Sequence, residues 1–382
     1  MLRIAPLCGL LLLAATFAAN AQDFATKAKQ AILLDADTGS VLFEKNADEL
    51  MPPASMAKLM TMEAVFNALK TGQYKLTDPF RVSENAWRKG GANSGGSTMF
   101  LRPNRDVPLE DLIKGVIVVS GNDASIAIAE NMAGSEGNFA GLMNERAKKI
   151  GLRNSTFKNP TGLPHPEQLV TARDLARLAR HLIRTYPEYY AYYSIPEFKW
   201  GRTRQPNRNP LLSRVEGADG LKTGFTQASG YGLVGSAVQD GRRLIVVLNG
   251  MSSARERAAE AIKLMRWGRR AFRLVDVLPA GEPVGEATVF GGEKAGVKVA
   301  AEGPLKLYLP IGRTDRMQAD IVFVGPIQAP VSKGDPVGKL QVRIGGKVSQ
   351  ETPLFAVEDV RVGTVSQRAW SAAQELLLGW AY

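Results

Sequence analysis

The sequence predicts an α+β fold: a domain of antiparallel strands and clustered helices over residues 22–275, a small all-β domain over 276–362, and an amphipathic helix over 363–382, all behind a leader of residues 1–21. Three observations carry this. An apolar run of leader length opens the chain. Helix-periodic stretches then alternate with a few strongly apolar strands up to about Val277, where the chain breaks into short alternating runs punctuated by Gly and Pro.

The leader is read from its three regions. Arg3 precedes the apolar stretch 7–18, and Ala19-Asn20-Ala21 forms a small-x-small cleavage site that leaves Gln22 first. The run is too short for an ordinary membrane-spanning helix, and Cys8 lies ahead of the leucines instead of closing the run. The expectation is export. With 48 Lys+Arg against 37 Asp+Glu in 382 residues the formal charge is +11, and losing Arg3 leaves +10. Outside the cytoplasm that charge faces anionic wall polymer or phospholipid, and nucleic acid is not an expected partner. The only cysteine leaves with the leader. Two histidines remain, His165 and His181, which read as surface or turn residues. Thiolate chemistry and histidine-ligated metal are poorly supplied, so neither metal nor cofactor is expected.

Within the first domain, residues 31–36 (AILLDA), the turn Asp37-Thr38-Gly39-Ser40 and residues 41–43 (VLF) predict a β-hairpin. Residues 56–69 predict a helix with Leu59, Met62, Phe66 and Leu69 on one stripe. So little polarity lies elsewhere on it that it belongs at the centre of the domain. Helical runs at 109–119 and 123–132 break at Ser120-Gly121-Asn122, and 171–185 is an amphipathic helix. Residues 231–238 and 243–248, joined through Asp240-Gly241, predict a second hairpin of fully buried strands, and 254–272 a closing helix. The runs VKVAA, LKLYLP, ADIVFV and GKLQVRI predict the strands of the second domain. In the last helix Val365, Ala369, Ala372, Leu376 and Trp380 share a narrow sector.

Without a mature cysteine, and with two histidines, the material for a nucleophile is a serine activated by lysine. Ser55-Met56-Ala57-Lys58 opens the buried helix and places hydroxyl and amine three residues apart on one face. Ser120-Gly121-Asn122 stands at the break between two helical runs, and Lys222-Thr223-Gly224 just before a strand. Triplets of these three kinds are the signature of penicillin-binding proteins and class A β-lactamases. Each also occurs elsewhere in this chain, as Ser155 with Lys158, Ser83 with Asn85, and Lys70-Thr71-Gly72. Only the first set occupies helix and strand settings in the required order. Gly90 to Gly96 reads equally as a loop beside the cleft or a plain connection.

On these residues the chain resembles the low-molecular-mass penicillin-binding proteins of the D-alanyl-D-alanine carboxypeptidase type, over essentially the whole mature sequence. Asp123-Ala124 after the second triplet, Asp219-Gly220-Leu221 before the third, Asn207-Arg208-Asn209 and Ala254-Arg255-Glu256-Arg257 add to it. The resemblance implies a serine β-lactamase/penicillin-binding-like catalytic domain and an acyl transfer. Ser55 attacks the D-Ala-D-Ala peptide of a peptidoglycan stem pentapeptide, and Lys58 is the base, its pKa depressed by burial and by Lys222. Ser120 relays the leaving-group proton and Asn122 holds the substrate amide. Substrate binding falls to Thr223, Gly224, Phe225, Thr226, Arg257 and Arg208, with the N–H groups of Ser55 and Phe225 facing the oxyanion. Phe225 departs from several relatives that carry histidine there, a difference that bears on substrate preference and deacylation.

The resemblance further implies β-lactam antibiotics as inhibitors, a periplasmic location, and a C-terminal helix lying on the outer face of the cytoplasmic membrane. Three alternatives stay open: a D,D-endopeptidase or transpeptidase on the same fold, a β-lactamase, and an inactive cell-wall scaffold. The β-lactamase needs a deacylating Glu-x-x-Leu-Asn; Glu167 lies in the right interval, but Gln168-Leu169-Val170 follows it.

Overall fold

The chain divides into two units: Phe24–Ala36 with Phe43–Arg269, and Asp37–Leu42 with the chain from Arg270 onward and the N-terminal strand Leu2–Pro6 (β1). The computed structural model describes residues 2–6, 24–312 and 316–378. The apolar leader run, the cleavage site, Trp380 and Tyr382 lie outside the described residues.

The first predicted hairpin forms from Gln30–Asp35 (β2) and Val41–Lys45 (β3). Two small ribbons follow: Pro79–Arg81 (β4) with Asp106–Pro108 (β5), and Glu197–Trp200 (β6) with Thr203–Pro206 (β7). Ala218–Thr226 (β8), Gly230–Gln239 (β9) and Arg242–Met251 (β10) complete a five-stranded sheet in the order β3-β2-β10-β9-β8. Ile245 faces Leu34 and Val247 faces Ile32, so the first strand of this sheet to be made pairs with its last. Asp240 and Gly241 both have positive φ, 52° and 70°, as a two-residue hairpin turn matched to strand twist requires. The run Leu244 to Leu248 is wholly buried, as its unbroken apolar character demands.

The helices are Lys58–Lys70 (α1), Glu84–Gly90 (α2), Leu109–Val118 (α3), Asn122–Ala133 (α4), Glu136–Lys149 (α5), Ala172–Thr185 (α6), Pro187–Tyr190 (α7) and Ala254–Arg270 (α8). In α1 every residue from Lys58 to Phe66 is buried, which places it centrally. The α-helix does not start at Ser55, however: a 3-10 turn, Ala54–Ala57, comes first. The closing helix also stops short of its expected end, and Phe272 opens a strand.

His181 is not the surface or turn residue expected. Its Nε2 lies 3.2 Å from Glu63 Oε1, and that buried carboxylate also accepts from Arg146 Nη2 at 2.6 Å and the Tyr186 hydroxyl at 3.1 Å. A buried carboxylate is tolerable only with such partners. His165 is exposed, and its Nδ1 accepts from Glu167 N at 3.2 Å in a turn.

In the second unit Pro283–Phe290 (β12), Gly296–Ala300 (β13), Met317–Val324 (β15), Ile327–Gln328 (β16), Pro336–Ile344 (β17) and Lys347–Ala356 (β18) form a sheet in the order β1-β15-β17-β18-β13-β12-β16. Phe272–Leu278 (β11) and Leu305–Pro310 (β14) make a separate ribbon. Val297, Val299, Leu307, Ile321, Phe323, Leu340 and Leu354 centre its core. Val365–Leu378 (α9) follows, with Val365, Ala369, Trp370, Ala372 and Leu376 all exposed. Among the described residues no helix is long and apolar enough to cross a membrane.

Candidate active site

Residues three apart eclipse in a 3-10 turn. Lys58, which caps the turn holding Ser55 and opens α1, is therefore brought beneath it, with Nζ 3.2 Å from Ser55 Oγ. Ala54, just before the serine, has φ 47°, a strained conformation for a residue with a Cβ. Two glycines press on this strained step. A Cβ on Gly162 would lie 1.9 Å from the Ala54 carbonyl oxygen, and one on Gly224 of β8 would lie 3.0 Å from the Pro53 oxygen. Lys58 is fully buried and also donates to Asn122 Oδ1 at 2.7 Å and to the Thr161 carbonyl. Burial, opposed in part by the negative charge of Asp123, brings its pKa down to about 7.

The second triplet lies in the gap between α3 and α4. Ser120 has φ 64°, Gly121 N donates to the Gly115 carbonyl at 2.9 Å, and Asn122 N to the Ser97 carbonyl at 2.8 Å. Behind it Asp123 is fully buried and accepts from Thr98 Oγ1 at 2.6 Å, Met99 N and Leu101 N at 3.0 Å, and Ala124 N at 2.9 Å. That carboxylate ties the segment from Thr98 to Leu101 to the start of α4. Gly90 to Gly96 is folded as the end of α2 and a 3-10 turn, Ala92–Ser94. A Cβ on Gly96 would come within 2.8 Å of Asn122 Nδ2, so this segment borders the site.

The third triplet is on β8, the edge strand. Lys222 is buried and its Nζ donates to Ser120 Oγ at 2.8 Å. Burial, then the positive charges of Lys58, Arg208 and Arg257, hold its pKa well below the usual lysine value. Thr223 and Gly224 are buried, whereas Phe225 is 49% exposed and stacks on Tyr231 with ring centroids 4.1 Å apart. Arg257 of α8 lies 5.7 Å from the Tyr231 ring, and its buried Nε has no hydrogen-bond partner among the described residues. Asn207 and Asn209 pin their segment through the Ile195 and Gly220 carbonyls, leaving Arg208 exposed with Nη2 on Gln205 Oε1 at 3.0 Å. The Thr226 hydroxyl turns instead to Ser229, at 2.9 Å.

The rival triplets have other work. Ser155 donates to Asp174, and Lys158 pairs with Glu167 at 3.0 Å. Ser83 caps α2, and Lys70 donates to the Thr185 carbonyl beyond the end of α1. The Thr161 carbonyl is the contact that sequence reasoning missed, since a backbone acceptor leaves no mark in residue type.

A family model described as D-alanyl-D-alanine carboxypeptidase matches residues 15–252. The chain belongs to that family. A second model, described as the C-terminal domain of penicillin-binding protein 5, matches residues 272–362. This carboxypeptidase, a serine hydrolase, is 43% identical over 342 residues to D-alanyl-D-alanine carboxypeptidase DacC of Escherichia coli, covering 89% of this chain and 86% of that one. Penicillin binding protein 5 from Haemophilus influenzae is similar in structure, with a TM-score of 0.75 at 37% identity over 90% of this chain and 100% of its own. Penicillin-Binding Protein D2 from Listeria monocytogenes, solved in an ampicillin-bound form, has a TM-score of 0.56 at 29% identity over 65% of this chain and 99% of its own. The expected α+β class and the carboxypeptidase resemblance are borne out.

Proposed function

We propose that this carboxypeptidase removes the terminal D-alanine from peptidoglycan stem pentapeptides through an acyl-enzyme on Ser55, and that penicillins acylate the same hydroxyl. The observation that carries the reading is the buried Lys58 amine 3.2 Å from Ser55 Oγ with its pKa near neutrality. A lysine at its ordinary pKa is almost wholly protonated at pH 7 and cannot take a proton; at about 7, roughly half is free base. Ser55 transfers its proton to Lys58 as the Oγ–C bond forms. Collapse of the tetrahedral adduct breaks the C–N bond, and the leaving nitrogen takes a proton through Ser120, which Lys222 holds at 2.8 Å. Water then cleaves the ester.

Asn122 holds the substrate amide, and the backbone N–H groups of Ser55 and Phe225 face the oxyanion. Thr223, Arg257 and Arg208 meet the terminal carboxylate; the Arg257 Nε, without a partner among the described residues, supports this most directly. Thr226, engaged with Ser229, serves the turn after β8. The β-lactamase alternative finds no support in Glu167, which is exposed and paired with Lys158. Incubation with a labelled penicillin and a D-Ala-D-Ala pentapeptide tests the reading. The expected result is a stable adduct absent from Ser55→Ala, together with released D-alanine. Rapid penicillin turnover, or no adduct, overturns it.

The reading extends to location: residues 1–21, β1 among them, are removed on export, so that β15 becomes an edge of its sheet, and the protein lies on the outer face of the cytoplasmic membrane through its C-terminal helix. The exposed apolar sector of α9 supports this, because a helix packed on its own domain hides that face. Deleting residues 363–382 releases an active enzyme from lipid vesicles; a full-length protein that never sediments with them refutes the anchor.

A further inference from the structure

We infer that Asn159 and Gln168 are positioning residues for the base: the turn they build fixes the Thr161 carbonyl, which together with Asn122 aims the Lys58 lone pair at Ser55. This rests on the reading of Ser55 as nucleophile and Lys58 as base. A neutral amine has two N–H bonds and one lone pair. Three groups surround Lys58 Nζ within hydrogen-bond distance: Asn122 Oδ1, the Thr161 carbonyl and Ser55 Oγ. The first two only accept. Both N–H bonds therefore go to them, and the lone pair is left for the Ser55 hydroxyl. If the Thr161 carbonyl moves, an N–H is free to rotate toward Ser55 and the amine no longer accepts its proton.

Two side-chain amides hold that carbonyl. Asn159 Oδ1 accepts from Thr161 N at 3.2 Å, Thr161 Oγ1 at 2.9 Å and Gly162 N at 2.8 Å. Gln168 Oε1 accepts from Lys158 N at 3.0 Å and Asn159 N at 3.1 Å, and Leu163 N donates to Thr161 Oγ1 at 3.2 Å. Pro160 has no N–H, so every backbone donor from Lys158 to Leu163 ends on a side chain of the loop itself. Asn159 Nδ2 and Gln168 Nε2 both donate to the Leu163 carbonyl, at 3.0 and 2.9 Å. The Pro160 carbonyl accepts from Thr61 Oγ1 of α1 at 2.7 Å and the Thr161 carbonyl from Lys58, so both point at the helix of the base. Gln168 and Thr161 are buried, and water does not substitute readily for these amides.

The test is the rate of acylation by a labelled penicillin as a function of pH, on the full chain, for wild type, Ser55→Ala, Asn159→Ala and Asn159→Asp. Thermal melting reports whether each is folded. Asn159→Ala is expected to acylate about 10²-fold more slowly, the usual cost of misplacing a catalytic group by about 1 Å. Asn159→Asp keeps the three acceptor bonds, gives up the Nδ2 bond to the Leu163 carbonyl, which Gln168 Nε2 still holds, and adds a negative charge that favours protonated Lys58. Its rate at high pH recovers to within about tenfold of wild type, with the acid limb moved to higher pH. Wild-type rates and pH profile in Asn159→Ala overturn the proposal. So does an Asn159→Asp enzyme as slow as Asn159→Ala at every pH, or one slow at every pH when Asn159→Ala is unfolded. Labelling of Ser55→Ala instead overturns the reading of the site itself.

Discussion

Replacing Asp123 by asparagine changes the charge behind the base and leaves its shape almost untouched. The carboxylate accepts four hydrogen bonds. In the amide, the oxygen facing Met99 and Ala124 is kept, and the Thr98 hydroxyl can rotate to accept. Leu101 N–H is left facing another N–H. One charge-assisted bond is lost, at about 1.5–3 kcal/mol, and a buried donor is left unsatisfied, at about 1–3 kcal/mol. Unfolding free energy should therefore fall by about 2.5–6 kcal/mol, measured by urea denaturation.

The kinetic effect is a shift of profile. Burial lowers the Lys58 pKa to about 7, and Asp123 opposes that fall. Removing the charge leaves burial less opposed, so the pKa falls further. On the proposed mechanism acylation requires the neutral amine. Its acid limb, centred at about pH 7 in the wild type, therefore moves to lower pH in Asp123→Asn. Quenched-flow acylation by labelled penicillin over roughly pH 5 to 9 reads this directly. A limb that stays in place or moves upward refutes Lys58 as a base tuned by Asp123.

Three further outcomes follow from the same geometry. Gly162→Ala places a Cβ 1.9 Å from the Ala54 oxygen at φ +80°, so melting temperature drops sharply and acylation falls by about 10²-fold or more. Lys58→Met abolishes acylation yet raises stability at neutral pH, by on the order of 4 kcal/mol less the lost hydrogen bonds. The sign follows because unfolded lysine binds its proton up to about 10.5 and the folded one only to about 7; wild-type stability rises with pH across that window, and the rise is shallower in the variant. Phe225→Ala loses the stack on Tyr231, about 0.5–1.5 kcal/mol by urea unfolding, while penicillin acylation stays within about tenfold of wild type because the proposed contact there is a backbone N–H.

What could be read in the sequence was what short range and residue type express. The buried helix was legible because 56–69 has almost no polar stripe, and the β9–β10 turn because Asp-Gly tolerates positive φ. Ser55 and Lys58 were legible as a pair at three-residue spacing, although the reason for their contact is a 3-10 turn that begins at the strained Ala54. α5 leaves a weak mark in the sequence because Phe139, Ala140, Met143 and Ala147 are sparse among polar residues. The pairing of His181 with Glu63 spans 118 residues, and no local pattern announces it. The loop 158–168 reads as a polar turn; the amides of Asn159 and Gln168 differ from ordinary turn residues only in what they hold.

The sheet order has a consequence for when this enzyme comes into being during synthesis. β2 is the first strand of the sheet to be made, and its neighbour β10 is the last. A growing chain that has already presented Ser55 still lacks β8 with Lys222, and β2 has no β10 to pair with until residues 242–251 emerge. Such long-range closure folds late and all together. On the proposed mechanism nascent chains are thus held silent by topology, and covalent capture by a penicillin is expected only once the whole sheet has closed.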